Sequence, residues 1–272
     1  MIIADTSALV LNWTSKEIWK SKNARDYFDG LDLSAADTLY KMIDKKLGVI
    51  QCHMLSNRKF FVRKCALEFL EQCKVQHLNG QVIILAAGID PLSVEVASLY
   101  PDSVVFDVDK YSMQEKEKYL NHTCANIKFI ECDITNIKLL EAALVEKGWD
   151  KKQPGILIME GITYYLTEND LRNILTFFAK NISNFVCDFG LKPECVDEPN
   201  RMHGVEIRDK IKKSVGLEFM NCYEPGYYLS LVEQCGFKNP VRFTMADIQT
   251  ERTGEITPFE GHEPAWVSLL KS

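Results

Sequence analysis

Four short groups of residues have the types and spacing to hold a nucleoside-bearing ligand: Ala86-Ala87-Gly88 with Asp90, Asp107 with Asp109, Cys132-Asp133-Ile134, and Glu160-Gly161. Each closes an apolar run. In open α/β sheets, ligands bind at the carboxyl ends of strands, near the point where strand order reverses. Small side chains at 86–88 let the backbone approach a ligand closely, and Gly88 is free to take a positive φ. Standing alone, that tripeptide would read first as a tight strand-to-helix turn without a ligand. Asp107 and Asp109 follow about 20 residues on, where a carboxylate accepts from ribose hydroxyls. A dinucleotide fingerprint needs G-x-G-x-x-G, but that register holds Ala86, Gly88 and Pro91. The pyrophosphate turn is therefore poorly formed. A ligand with ribose but no pyrophosphate fits better, S-adenosylmethionine being the common one, and a nicotinamide cofactor is disfavoured.

Asp133 is placed either to take an adenine amino group or to serve as a turn acid before Asn136. Glu160 is either an exposed loop acid or the partner of a ligand ammonium. Tyr164 and Tyr165 read first as core packing and second as substrate contacts. Two histidines, His203 and His262, are candidate general bases, although each is also an ordinary surface or core residue in type. Arg201 and Arg208 are candidates to hold a substrate carboxylate, with solvated helix charges as the alternative.

The elements that must position these groups begin as helix. Ser15 is expected to cap a helix ending at Gly30, Ser34 a second ending near Gly48, and a third runs over 56–76 with Phe60, Phe61, Cys65, Phe69 and Cys73 at helical spacing. After Gly80 the pattern alternates. Apolar runs at 82–85, 103–108, 127–131, 155–159 and 185–189 suit strands covered on both faces, with helical stretches at 92–99, 111–120, 136–147 and 167–180. Helix between each pair implies right-handed parallel crossovers. Residues 190–224 break the rhythm and lie where a substrate lid would stand. A helix at 225–235 precedes two more strands, 240–244 and 265–270, joined by a loop with no helix between, which predicts an antiparallel terminal hairpin. The expected architecture is a single α/β domain over 1–272 with a Rossmann-like, seven-stranded, mostly parallel sheet. Its parts are a helical N-terminal cover (1–80), a ligand-binding core (81–189), a lid (190–224), and a C-terminal helix and hairpin (225–272).

Composition narrows the partners. A net charge of -6 argues against nucleic acid or an anionic membrane as the main partner. No apolar run approaches the roughly 18 residues of a membrane span, and the first residues lack the basic region of a signal peptide. The nine cysteines are odd in number and contain no C-x-x-C pair, so neither a disulfide framework nor a zinc site is indicated. A reducing, cytoplasmic setting is the expectation.

Taken together, these residues resemble the leucine carboxyl methyltransferase family of S-adenosylmethionine-dependent enzymes, and the bacterial natural-product O-methyltransferase branch more than the protein phosphatase methyltransferases. The family's helical arginine, followed about 25 residues later by Q-V-(apolar)-L-G-A-G-x-D, is matched by Arg63 and QVIILAAGID, with Ala87, Gly88 and Asp90. FDVDK places Asp109 in the ribose position, Asp133-Ile134 matches a D-L pair, and EGITYYL (160–166) matches E-G-x-x-x-Y-L after the similar lead-in GWDKKQPGILIM. The resemblance covers 57–180 well and the rest loosely. Ala86 replaces a frequent glycine, Lys64 a frequent threonine, and the arginine usual after the G-x-D turn is absent from PLSVEVASLY. The basic residue that the family's N-terminal segment brings to the cofactor has no clear counterpart.

The resemblance implies a class I methyltransferase fold. It implies S-adenosylmethionine as donor, with S-adenosylhomocysteine as product, and no metal. Arg63 and Glu160 would grip the carboxylate and ammonium of the methionine end. The implied reaction is O-methylation of a carboxylate or hydroxyl on a small-molecule acceptor; a protein C-terminus or a catalytically silent binding module are the alternatives. Retention of Arg63, Gly88, Asp109, Asp133 and Glu160 together favours the enzyme. Monomer and homodimer both remain open.

Overall fold

The apolar runs become strands. In the computed structural model, which describes residues 5–36, 45–120, 123–216 and 218–272, they are Gln81–Leu85 (β1), Val104–Asp109 (β2), Ile127–Glu131 (β3), Gly155–Met159 (β4), Asn184–Gly190 (β5), Val241–Phe243 (β6) and Val267–Lys271 (β7). They form one sheet of order β3-β2-β1-β4-β5-β7-β6, in which β1 to β5 are parallel and β7 runs antiparallel to both β5 and β6. Every residue of β1 and β4 is buried, as expected for strands covered on both faces. The sheet is the seven-stranded, mostly parallel sheet of class I methyltransferases, closed by an antiparallel pair.

The helices are Asp5–Asn12 (α1), Lys22–Asp29 (α2), Lys45–Val75 (α3), Leu92–Leu99 (α4), Met113–Leu120 (α5), Ile137–Glu146 (α6), Glu168–Ala179 (α7), Glu198–Val215 (α8), Pro225–Gln234 (α9) and Met245–Thr253 (α10). Side-chain caps start several of them. Asn136 accepts from Leu139 N at the start of α6, Thr167 from Asp170 N at α7, and Thr244 with Asp247 forms a capping box at α10.

Three expectations need correction. The helix expected from Ser15 to Gly30 is two pieces: Ser15 caps only the 3-10 turn Lys16–Ile18, Trp19 leaves it in extended conformation to bury its indole completely, and Ser21 caps α2. Burial of that tryptophan outweighs helix continuity. The second expected helix is represented by the single turn Ser34–Ala36, its remainder to 44 lying outside the described residues; Gly48 falls inside α3, which therefore begins well before 56. The closing strands are joined through α10, a helix that the polar sequence ADIQTERT conceals by lacking an apolar period. The 190–224 segment carries the 18-residue helix α8.

The helical cover is tied to the sheet through one carboxylate. Glu95 of α4 is fully buried and accepts from the backbone N–H of Lys20 (2.9 Å) and Ser21 (2.8 Å), and from Arg63 of α3 (2.6 Å). Burial works against its charge, but these donors outweigh it and hold the carboxyl below the ordinary glutamate range. A lowered folded pKa gives stability that is present above the unfolded value and lost as pH falls through the folded one. Arg63→Met, which strands this carboxylate, should cost about 3 kcal/mol in urea denaturation. In the wild type, stability should drop as pH falls below about 4, and Glu95→Gln should flatten that drop.

Candidate functional site

Sheet register brings the strand ends together. Leu85 pairs with Val108 on one side and Met159 on the other, and Met159 pairs with Cys187. The next residues, Ala86, Asp109, Glu160 and Asp188, therefore stand in a row across β2, β1, β4 and β5. Strand order reverses between β1 and β4, the place where ligands sit in such sheets.

After β1 the chain turns sharply. Ala86 has φ +56° and Gly88 φ +51°. Left-handed backbone costs a non-glycine residue about 1–2 kcal/mol, so the turn must be held. Gly88 N donates to Asp109 Oδ2 (2.8 Å), and Tyr27 of α2 donates to Ile89 O (3.0 Å). Lys116, wholly buried, donates to Gly88 O (3.2 Å) and Asp90 O (2.8 Å) and pairs with Asp107 (2.7 Å). Asp107, which also accepts from Ser93 Oγ at 2.6 Å, thus supports the turn from beneath. Burial pushes its carboxyl upward, and Lys116 opposes that shift.

Above the turn lies a cavity of about 250 Å³. One wall is charged. Arg58 of α3 donates through Nε to Glu160 (2.8 Å) and through Nη1 to Asp188 (3.2 Å). Lys59 pairs with Glu160 (2.6 Å) and Asp90. Asp188 also accepts from Gly161 N (2.6 Å) and Tyr164 OH (2.5 Å). Burial disfavours charge on Arg58 and Lys59, but the carboxylates prevail and hold both pKa values above their ordinary ranges. Burial and then Asp188 raise the Tyr164 phenol, which stays a donor. The opposite wall is mainly apolar, from α1, α3, α8 and the segment leading into β7.

The expected residues divide into four groups. Ala87, Gly88, Asp90, Glu160, Tyr164 and Arg208 line the cavity. Asp109 stands at the turn, accepting from Gly88 N and Tyr111 N. Asp133 and Ile134 end the neighbouring strand farther out. There, hydrogen bonds from Thr135, then Lys110, hold the Asp133 carboxyl down at about 2.

Arg63, Arg201, His203 and His262 do not line the cavity. Arg63 is occupied by Glu95, so the gripping pair expected as Arg63 and Glu160 is not brought together. Arg201 donates to Val196 O in its own helix-leading turn. His203 lies edge-on to Trp266, with ring centroids 6.4 Å apart, and His262 is exposed.

Sequence reasoning missed Arg58, Lys59 and Asp188. Asp188 lies two residues before the end of β5, in line with Glu160, and was within reach of the strand-end rule applied to the other acids. Lys59 lies one helical turn before Arg63, on the same face. Among the described residues no group of three metal-ligating side chains converges, and no helix is long and apolar enough to cross a membrane. The strained turn gives a direct check: Ala86→Gly should keep the fold and raise stability by roughly 0.5–1 kcal/mol in urea denaturation.

The profile of the leucine carboxyl methyltransferase family matches residues 18–179. Among solved structures, a candidate methyltransferase from Thermobifida fusca YX superposes with a TM-score of 0.61 at 14% identity, over 95% of this chain and 93% of that one. An O-methyltransferase family protein from Burkholderia thailandensis gives a TM-score of 0.49 at 10% identity, over 82% of this chain and 59% of that one. Magnesium protoporphyrin IX methyltransferase from Synechocystis PCC 6803, with bound SAH, gives 0.47 at 12%, over 92% and 98%. At such identities the first likeness shows the fold alone, and the other two add no argument. No curated protein sequence matches. The family profile spans more than half of the chain, and the protein belongs to the leucine carboxyl methyltransferase family.

Proposed function

We propose that this protein transfers a methyl group from S-adenosylmethionine to the carboxylate of a small acceptor with an apolar body. Membership of a methyltransferase family supports the reaction class. The donor follows from the charge of the site. Arg58 and Lys59 face Asp90, Glu160 and Asp188, which leaves one negative charge in excess in a buried cluster. A sulfonium joined to a zwitterionic amino-acid end carries one net positive charge and balances it. Ala87 and Gly88 allow close approach of the backbone, Asp109 beside them suits ribose hydroxyls, and Asp133 with Ile134 suits the adenine farther out.

The observation that carries the acceptor reading is Arg208. Its residue is 8% exposed, it lines the cavity, and its hydrogen bond runs to Leu191 O at 3.3 Å. Among the described residues no carboxylate pairs with it. A guanidinium withdrawn from water calls for an anion, and a carboxylate fits its fork. The surroundings, Ile207, Ile211, Met220 and Trp266, suit an apolar body. Tyr164, with its hydroxyl committed to Asp188, is read as part of the wall.

Methyl transfer from a sulfonium is an in-line displacement, in which the acceptor oxygen forms the new bond to carbon as the carbon–sulfur electron pair returns to sulfur. The chain's own contribution is then positioning, which supplies up to about 7–11 kcal/mol. A carboxylate has no proton to lose, and among the described residues no histidine lines the cavity. A hydroxyl acceptor would need its proton removed at or before transfer. Residues 190–224 act as the lid, with α8 presenting Arg208. The nine free thiols favour a reducing, cytoplasmic setting.

Calorimetry should show S-adenosylhomocysteine bound far more tightly than NAD. Mass spectrometry over a panel of small carboxylic and hydroxylated acceptors identifies the product, expected to be an ester cleaved by mild base. Arg208→Met should raise the acceptor KM about tenfold or more and leave S-adenosylhomocysteine affinity unchanged. His203→Ala and His262→Ala should stay within a few-fold, with little rate change between pH about 6 and 8. A base-stable ether, with a large loss in either histidine variant, would overturn the carboxylate reading.

A further inference from the structure

On the reading of the cavity as a site for S-adenosylmethionine, we infer that Lys59, and not Arg63, receives the carboxylate of the methionine end. The family pattern puts that role on Arg63, but here Arg63 is committed elsewhere. Its Nε and Nη2 both reach Glu95 Oε1 at 2.6 Å, and Glu95 is fully buried with two further backbone donors from the N-terminal cover. Turning Arg63 toward a ligand would strand that carboxylate. It also lies outside the residues that line the cavity.

Lys59 lies four residues earlier on α3, about one turn away on the same face. It lines the cavity, is 5% exposed, and bridges Asp90 of the turn and Glu160 at the end of β4. Those two acids border the methionine end in the proposed site. An ammonium has three donors. Two meet these carboxylates, and the third is left for a ligand oxygen. Arg58 is committed across the cluster, with Nε on Glu160 and Nη1 on Asp188, and its remaining nitrogen, Nη2, packs against Gly161. With Glu160 for the ligand ammonium and Lys59 for its carboxylate, both ends of the amino acid meet opposite charge within one cluster. The cation of the site has moved back by a helical turn, and Arg63 has become a tie for the cover.

The test compares two ligands by calorimetry: S-adenosylhomocysteine, and 5′-methylthioadenosine, which lacks the amino-acid end. In Lys59→Met, S-adenosylhomocysteine should bind about tenfold or more weakly, with 5′-methylthioadenosine within about threefold, and Lys59→Arg should recover most of the loss. Arg63→Met should lower Tm and leave the ratio of the two affinities at its wild-type value. If Lys59→Met does not fold, Lys59→Gln, which keeps a hydrogen-bond donor without charge, serves in its place. A ratio that falls as far in Arg63→Met as in the Lys59 variant, or that is unchanged in the Lys59 variant, overturns the inference. Wild-type protein that binds neither ligand overturns the donor reading itself, and the inference with it.

Discussion

Two consecutive cations on one helix, Arg58 and Lys59, meet carboxylates from three different strand ends, and much of the molecule is arranged around that meeting. The pairs Arg58–Glu160, Arg58–Asp188 and Lys59–Glu160 are out of water, where a charge without its partner costs several kcal/mol. Geometry must therefore be held at every member. The helix α3 has to lie over the ends of β4 and β5. Gly161 has to be glycine, since its φ is +72° and its N–H reaches Asp188 while a guanidinium passes close by. Tyr164 is drawn in to give Asp188 a further donor. The distinctive run EGITYYL is, in these terms, the strand-end half of a charge cluster whose other half is carried by α3.

A second buried pair does for the backbone what the first does for the cavity. Lys116 and Asp107 lie under the turn after β1, and Lys116 binds two of its carbonyls. This is why the turn survives with Ala86 left-handed and Pro91 at the start of the next helix, in a sequence that lacks the glycines of a dinucleotide site. The conformation is imposed from beneath by hydrogen bonds to the main chain rather than granted by glycine.

The sheet was legible because its signal is local: unbroken apolar runs such as QVIIL and GILIM, separated by helices of ordinary length, leave little choice of topology. The acids Asp109, Asp133 and Glu160 were legible for the same reason, whereas Asp188 was passed over. The choice of cation was not legible. Lys59 and Arg63 lie one turn apart on α3, and Arg63 is drawn away by Glu95, whose burial beneath the N-terminal cover is a tertiary fact that sequence spacing does not show. Trp19 and α10 were hidden for a related reason. In one, burial of a single large ring breaks a helix that spacing would continue; in the other, caps and tertiary contacts make a helix that periodicity does not announce.

The division of labour between the two walls of the cavity follows from how each is built. The charged wall is made from strand ends whose register is fixed by the sheet, together with a helix clamped by ion pairs. The apolar wall comes from α1, α8 and the segment before β7, joined by packing of the kind seen where Gly204 of α8 lies against Trp266 so closely that an added Cβ would fall 2.6 Å from that side chain. Substitutions on the charged wall disturb buried charges and are strongly resisted. Volume-conserving apolar exchanges on the other wall cost less, commonly under about 1.5 kcal/mol. On the proposed reading the charged wall takes the donor and the apolar wall the acceptor, and Arg208 is the point at which the apolar wall carries a charge of its own.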